Sequence, residues 1–199
     1  MGVKGYFIQY KFILPEQIKH SSYTYQKLFR ALYGYTQAVF KSNGKTYHYH
    51  RAGVLSGTPY LRPGKNCVII PEGNFQGLLD FFKTGRNPTH VWRGKGDWKA
   101  VYYMNEKTVD EKSAIAALES LLDRYYVITS SGRKEKIASE LNTVLNKSKT
   151  GAIEKPYLKI LLNEVQNVAS TDWFKSLHSQ SEKLSAFYGN YKTLKSMVP

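Results

Sequence analysis

Two hydrophobic periods divide the chain. Up to residue 107 apolar side chains come in alternating or unbroken short runs punctuated by glycine and proline, and beyond it they recur at three- and four-residue intervals. Residues 5–14 are apolar on both faces except at Gln9 and Lys11 and are stopped by Pro15, which predicts a strand inside a sheet. Ser21 or Ser22 can cap a helix that turns Tyr25, Leu28, Phe29, Leu32 and Tyr33 inward, with Lys27 and Arg30 outside and Gly34 as its stop. Residues 36–41 and 45–51 then flank Ser42-Asn43-Gly44, and Asn-Gly is the strongest short-range hairpin signal. The glycine- and proline-rich stretch 52–65 reads as loop with a short strand around Val54 and Leu55. A buried strand is predicted over 67–70, closed by Pro71, and Asn74 caps a short helix ended by Gly85. A second hairpin is expected from 89–93 and 98–104 around the turn 94–97.

The remainder reads as helices. Thr108 and Glu111 form a capping box before a helix with Ala114, Ile115, Leu118, Leu121, Leu122 and Tyr125 inward, and 126–129 either end it or form a short strand. Further helices are predicted from Ser131, from Pro156, and from Ser170 or Thr171, the last with Trp173, Leu177, Leu184, Tyr188, Tyr191 and Leu194 on one stripe. The expected fold is α+β: a mainly antiparallel sheet of about five to seven strands with two helices, followed by a C-terminal bundle of three or four helices. Residues 1–107 form a basic α+β region, and 108–199 a helical region for packing, self-association or partner docking.

A two-residue type I′ turn at Asn43-Gly44 pairs Phe40 with Tyr47, Ala38 with Tyr49 and Thr36 with Arg51. One face then carries Phe40, Tyr47 and Tyr49 with Lys45 and Arg51 at its ends, and the other Lys41, His48 and His50. Two tyrosines bracketed by cations suit stacking on nucleobases beside phosphates, since every base has a π-face and every nucleotide a charge. The same face would equally suit packing on the core.

Charge changes the balance between those uses. There are 29 Lys and Arg against 15 Asp and Glu, a net charge of +14. Residues 1–107 hold 16 and 5 of these, residues 108–199 hold 13 and 10, and 11 of the 16 tyrosines lie in the first region. Nucleic acid is the partner that accounts for cations and rings together, through counterion release and stacking. Glycine- and proline-bound turns at Arg62 and Lys65, at Arg86, and at Arg93 and Lys95 hold cations where phosphate can approach backbone amides. Trp92, Trp98 and Lys99 join the last of these at the second hairpin's tip, although core packing is the commoner fate of a tryptophan and is an alternative for both rings. The candidate nucleic-acid-binding residues are therefore Lys41, Lys45, Tyr47, His48, Tyr49, His50, Arg51, Arg62, Lys65, Arg86, Trp92, Arg93, Lys95, Trp98 and Lys99.

Signals for other chemistry are weak. His48 and His50 share a strand face, but no Asp, Glu or Cys lies between Gln17 and Cys67 to complete a metal site. Glu16, Glu72, Asp80, Asp97 and Glu106 are the carboxylates of the basic region and offer no evident pair for a two-metal nuclease. The glycine-basic turns lack P-loop spacing, and Cys67 in its apolar run reads as a structural thiol. No catalytic residue, metal or cofactor is assigned. No apolar run approaches the roughly 18–20 residues of a membrane helix. Signal-peptide, transit and myristoylation patterns are not found at the N-terminus, so a soluble, cytoplasmic, nucleoprotein-associated protein is expected. The leading expectation is a non-catalytic nucleic-acid-binding protein that prefers single-stranded or structured DNA or RNA, with its C-terminal helices serving a homo-oligomer or a protein partner. The alternatives are a nuclease-like processing enzyme centred on His48 and His50, or a structural subunit of a nucleoprotein assembly.

Overall fold

The structure, a computed structural model, describes residues 2–19, 21–88, 97–148 and 153–198. In chain order its first elements are β1 (Gly2–Ile13), α1 (Tyr23–Tyr33), β2 (Tyr35–Phe40), β3 (Thr46–Arg51), β4 (Cys67–Pro71), α2 (Phe75–Thr84) and β5 (Lys99–Asp110). There follow α3 (Glu111–Arg124), β6 (Tyr126–Ile128), β7 (Lys134–Lys136), α4 (Ile137–Ser148), α5 (Lys155–Ala169), α6 (Asp172–Leu177) and α7 (Glu182–Met197).

The strand β1 is central, as its two apolar faces require, and pairs antiparallel with β4 on one side and β5 on the other. Its alternation separates two cores. Ile8, Tyr10 and Phe12 face α1 and α2, where Leu28, Leu32, Leu78, Phe81, Phe82 and Trp98 close around them. On the opposite face Val3 and Phe7, with Ile69 and Val109 of the flanking strands, pack against the C-terminal helices. There the Trp173 indole donates to the Lys4 carbonyl at 2.6 Å and lies against Gly5. Further along the same face Gln9, Lys11, Ile13, Lys99, Val101 and Tyr103 remain exposed.

The α+β class and the antiparallel pairing agree with expectation, but the sheet has three strands rather than five to seven. The pairs β2–β3 and β6–β7 are separate two-stranded ribbons. Thr36, Gln37, His48 and His50 make both faces of the first ribbon polar, so it has no apolar face to lay on the sheet. Val54 and Leu55 form a turn instead of a strand, their N–H groups donating at 2.9 Å to the Ala31 and Leu32 carbonyls at the end of α1.

Among the described residues five α-helices follow β5, not three or four. The long stripe expected after Thr171 is broken, because Ser181 accepts the Leu184 N–H and caps α7 anew after a short 3₁₀ turn. The capping box fails for a different reason: Thr108 stays paired to Lys4 in β5, and Asp110 caps α3 by accepting from the Ser113 amide at 2.8 Å. Ser131 lies in the turn between β6 and β7, not at a helix start. No helix among the described residues is long and apolar enough to cross a membrane.

Candidate nucleic-acid interface

The β2–β3 ribbon rises from a narrow neck. At its root Gly34 and Gly53 cross so closely that a Cβ on Gly53 would lie 2.1 Å from the Gly34 nitrogen, and Gly34 has φ 74°. Only glycine permits this approach. At the tip, Gly44 has φ 75°, its N–H donates to the Lys41 carbonyl at 3.0 Å, and the Lys41 N–H donates to the Lys45 carbonyl at 3.0 Å. The loop is therefore Ser42-Asn43-Gly44, with a single left-handed residue, rather than the two-residue turn the dipeptide suggested. Asn43 does not adopt positive φ; its side-chain oxygen accepts the Lys45 N–H at 3.1 Å.

That one residue changes the faces. The observed partners are Tyr35 with Arg51, Gln37 with Tyr49 and Val39 with Tyr47, so Phe40 leaves the tyrosine face and opposes Thr46 beside His48 and His50. Neither face enters the core: Tyr47 and Tyr49 are 38% and 39% exposed, and Phe40 73%.

The tyrosine face forms a ladder of rings and cations. The Lys41 ammonium lies 4.7 Å from the Tyr47 ring centre and the Arg51 guanidinium 5.9 Å from that of Tyr49. Across the register from Arg51, the Tyr35 ring meets Arg30 of α1 at 4.9 Å, and Arg30 and Lys27 lie 5.6 and 5.3 Å from the Tyr23 ring. Contacts of this kind contribute about 0.5–1 kcal/mol at exposed sites, a bias of about two- to five-fold toward keeping each cation beside its ring. No Asp or Glu occurs from Gln17 to Pro71, so the local cations have no carboxylate neighbour in sequence.

The histidines separate in role. His50 stacks on Tyr126 at 3.7 Å with planes 12° apart, its Nδ1 lies 2.9 Å from the Thr36 hydroxyl, and Lys134 donates to its carbonyl at 2.6 Å. It anchors the ribbon to β6 and β7, whereas His48 remains exposed. Partial burial, then the Lys134 and His48 charges, lower the His50 pKa from the ordinary value. The anchor is thus fully effective above about pH 6.5 and weakens as pH falls toward the lowered folded value, where the unfolded chain takes the proton first. An NMR titration of the His50 imidazole should give a midpoint below 6.5, rising when Tyr126 is replaced by Ala; a midpoint at or above 6.5 in the intact protein contradicts this.

A half-buried arginine braces the turn that follows the neck from the helical side. Arg124, at the end of α3, donates to the carbonyls of Leu55, Ser56 and Thr58 at 3.1, 3.0 and 2.6 Å, and its guanidinium lies 4.2 Å from the Tyr60 ring centre. Burial lowers its pKa, but a guanidinium remains a cation.

Of the residues expected to contact nucleic acid, the ribbon brings together Lys41, Tyr47, Tyr49 and Arg51, with Lys45 at its tip. Arg62 is exposed and lies 4.4 Å over the Tyr33 ring, Arg86 is exposed beyond the end of α2, and Lys65 and Lys99 are exposed at the open end of the main sheet. Trp98 does not belong to the surface. It is 6% exposed and packs at 5.6 and 5.5 Å on Phe12 and Phe81, because β5 turns it to the inner side of the sheet with Ala100. Trp92, Arg93 and Lys95, and with them the first strand of the second hairpin, lie outside the described residues.

Sequence reasoning missed half of the ladder. Tyr23, Lys27 and Arg30 recur at helical spacing, which marks a common face of α1, and Tyr35 follows the glycine stop. It also missed Lys11, Val101 and Tyr103, whose outward side was legible in the alternation against Trp98 and Ala100. Among the described residues no group of three or more His, Cys, Asp or Glu could hold a metal ion. No protein-family model matches the chain, nor does any curated protein or solved structure.

Proposed function

We propose that this protein binds nucleic acid without acting on it chemically, gripping single-stranded or locally unpaired DNA or RNA along the tyrosine face of the ribbon. The observation that carries this reading is the ladder from Tyr23 to Tyr47, in which the exposed rings of Tyr23, Tyr47 and Tyr49 and the half-buried ring of Tyr35 are each met by Lys27, Arg30, Arg51 or Lys41 in a stretch without carboxylates. Rings offer stacking surfaces to any base, and cations placed between them meet the phosphates of successive nucleotides. Paired, stacked bases cannot reach those rings, which favours single strands over intact duplex. The helical region, nearly balanced in charge, is the side we assign to self-association or a protein partner.

Fluorescence anisotropy of the full chain with labelled single-stranded DNA and RNA, over a salt series, tests the proposal. The logarithm of affinity should fall with log salt by about 0.7 for each phosphate neutralised. Tyr47→Ala and Tyr49→Ala should each weaken binding by about 1–3 kcal/mol, with thermal melting unchanged because both rings are exposed. Affinity indifferent to salt and to both substitutions refutes the reading.

A further inference from the structure

We propose a second contact on the same bound strand: a pocket at the open end of the main sheet that receives one unstacked nucleotide. This rests on the function proposed above and adds to it a site for an individual base and its phosphate. Beyond Gln9 the strand β1 has no β4 partner, because the chain turns away at Asn66, whose carbonyl accepts the Tyr10 N–H at 2.9 Å. The turn leaves a shallow, open-sided cleft of about 620 Å³ where Gln9, Lys11, Tyr25, Lys65, Asn66 and Tyr103 border a floor that includes Val101 and Tyr102. Clefts that hold small molecules span about 300–1,000 Å³.

Three kinds of group meet there, and only together do they select a nucleotide. The Tyr103 ring is 61% exposed and touches no other ring among the described residues, so a π-face is open. The side-chain amides of Gln9 and Asn66 have no hydrogen-bond partner among the described residues, and each offers a donor and an acceptor to the edge of a base. Lys11 and Lys65 have no ion-pair partner among the described residues, and no carboxylate borders the cleft. Lysines alone would suit any anion, and a ring alone any apolar group. A ring, two free amides and two cations suit a base attached to a phosphate.

Backbone geometry supports the assignment. Asn66 has φ 57°, the one non-glycine residue at positive φ among the described residues, a conformation that asparagine tolerates better than most side chains, and this turn places it on the border of the cleft where β4 leaves β1. The helix α1 connects this cleft with the ladder, since Tyr25 borders the first and Tyr23 belongs to the second.

Full-length protein should be photo-crosslinked to single-stranded DNA and RNA 12-mers carrying one 5-iodouracil, with cross-linked peptides identified by mass spectrometry. Adducts are expected both in the ribbon and at Tyr103, on whichever strand binds more tightly. Tyr103→Ala and Gln9→Ala should each reduce strand affinity about five-fold or more, Tyr103→Phe should retain it, and melting should not change. Adducts confined to the ribbon, with Tyr103→Ala binding as tightly as the parent, overturn the pocket and leave the ribbon reading standing. Absence of strand binding by the parent protein overturns both. Saturation by uridine monophosphate at the concentrations at which the strand saturates overturns the assignment to a strand, because it marks a free-nucleotide site.

Discussion

Replacing Arg124 with alanine is expected to destabilise the protein by about 3–5 kcal/mol. The guanidinium makes three hydrogen bonds to carbonyls of one turn and covers the Tyr60 ring. A hydrogen bond to a charged group contributes about 1.5–3 kcal/mol, and the vacated carbonyls recover part of that from water entering the half-open site. Arg124→Lys should rescue little. A single ammonium on a flexible stem cannot span three carbonyls or lie flat on an aromatic ring. Urea denaturation midpoints measure both variants, and a loss below about 1 kcal/mol for Arg124→Ala contradicts the account. Because the braced turn directly follows the neck of the ribbon, with the Gly53 N–H donating to the Ser56 hydroxyl at 2.8 Å, the alanine variant should also bind single strands more weakly under conditions where it is still folded.

An equal loss, about 3–5 kcal/mol, is expected for Trp173→Ala. The indole is fully buried between the main sheet and the C-terminal helices, and it lies where β1 has Gly5 in place of a side chain. Its removal leaves a cavity that the crossing of strand and helices cannot collapse. Trp173→Phe should keep most of the packing while losing the hydrogen bond to the Lys4 carbonyl, so a loss of about 1–2 kcal/mol is expected. A Cβ at Gly5 would lie 3.0 Å from the Trp173 ring and 2.9 Å from the Ile70 carbonyl, so Gly5→Ala should cost less when Trp173 is already alanine. Calorimetry of the two single variants and the double variant checks that coupling.

What could be read from the sequence was what neighbouring residues decide. The caps Ser22, Gly34 and Gly85, and the apolar runs of β1 and β4, act within a few positions and appear where expected. The hairpin itself was equally legible, but its register was not, since Ser42-Asn43-Gly44 accommodates either a two- or a three-residue loop. The observed loop agrees with the crossing of Gly34 and Gly53, which are far apart in sequence. Strand count was overestimated for the same reason: whether a hairpin joins a sheet depends on a distant edge, and both faces of this one are polar. The side Trp98 takes, core or surface, is open in the sequence because it depends on pairing with β1 far earlier in the chain: Lys99, the next residue, stands opposite Ile13. The ladder was only half visible because α1 supplies the remainder through space, with Arg30 reaching Tyr35 across a glycine.

The ribbon is held in the same register at both ends, Tyr35 opposite Arg51 at the neck and Lys41 opposite Lys45 at the tip. A single inserted or deleted residue between them breaks this agreement, and must be absorbed as a bulge or invert the sides of one strand. A matched pair added at the tip leaves every existing partner in place. Descendants of this sequence are therefore free to lengthen or shorten the arm in steps of two, and gaps of one residue across it should be rare among them.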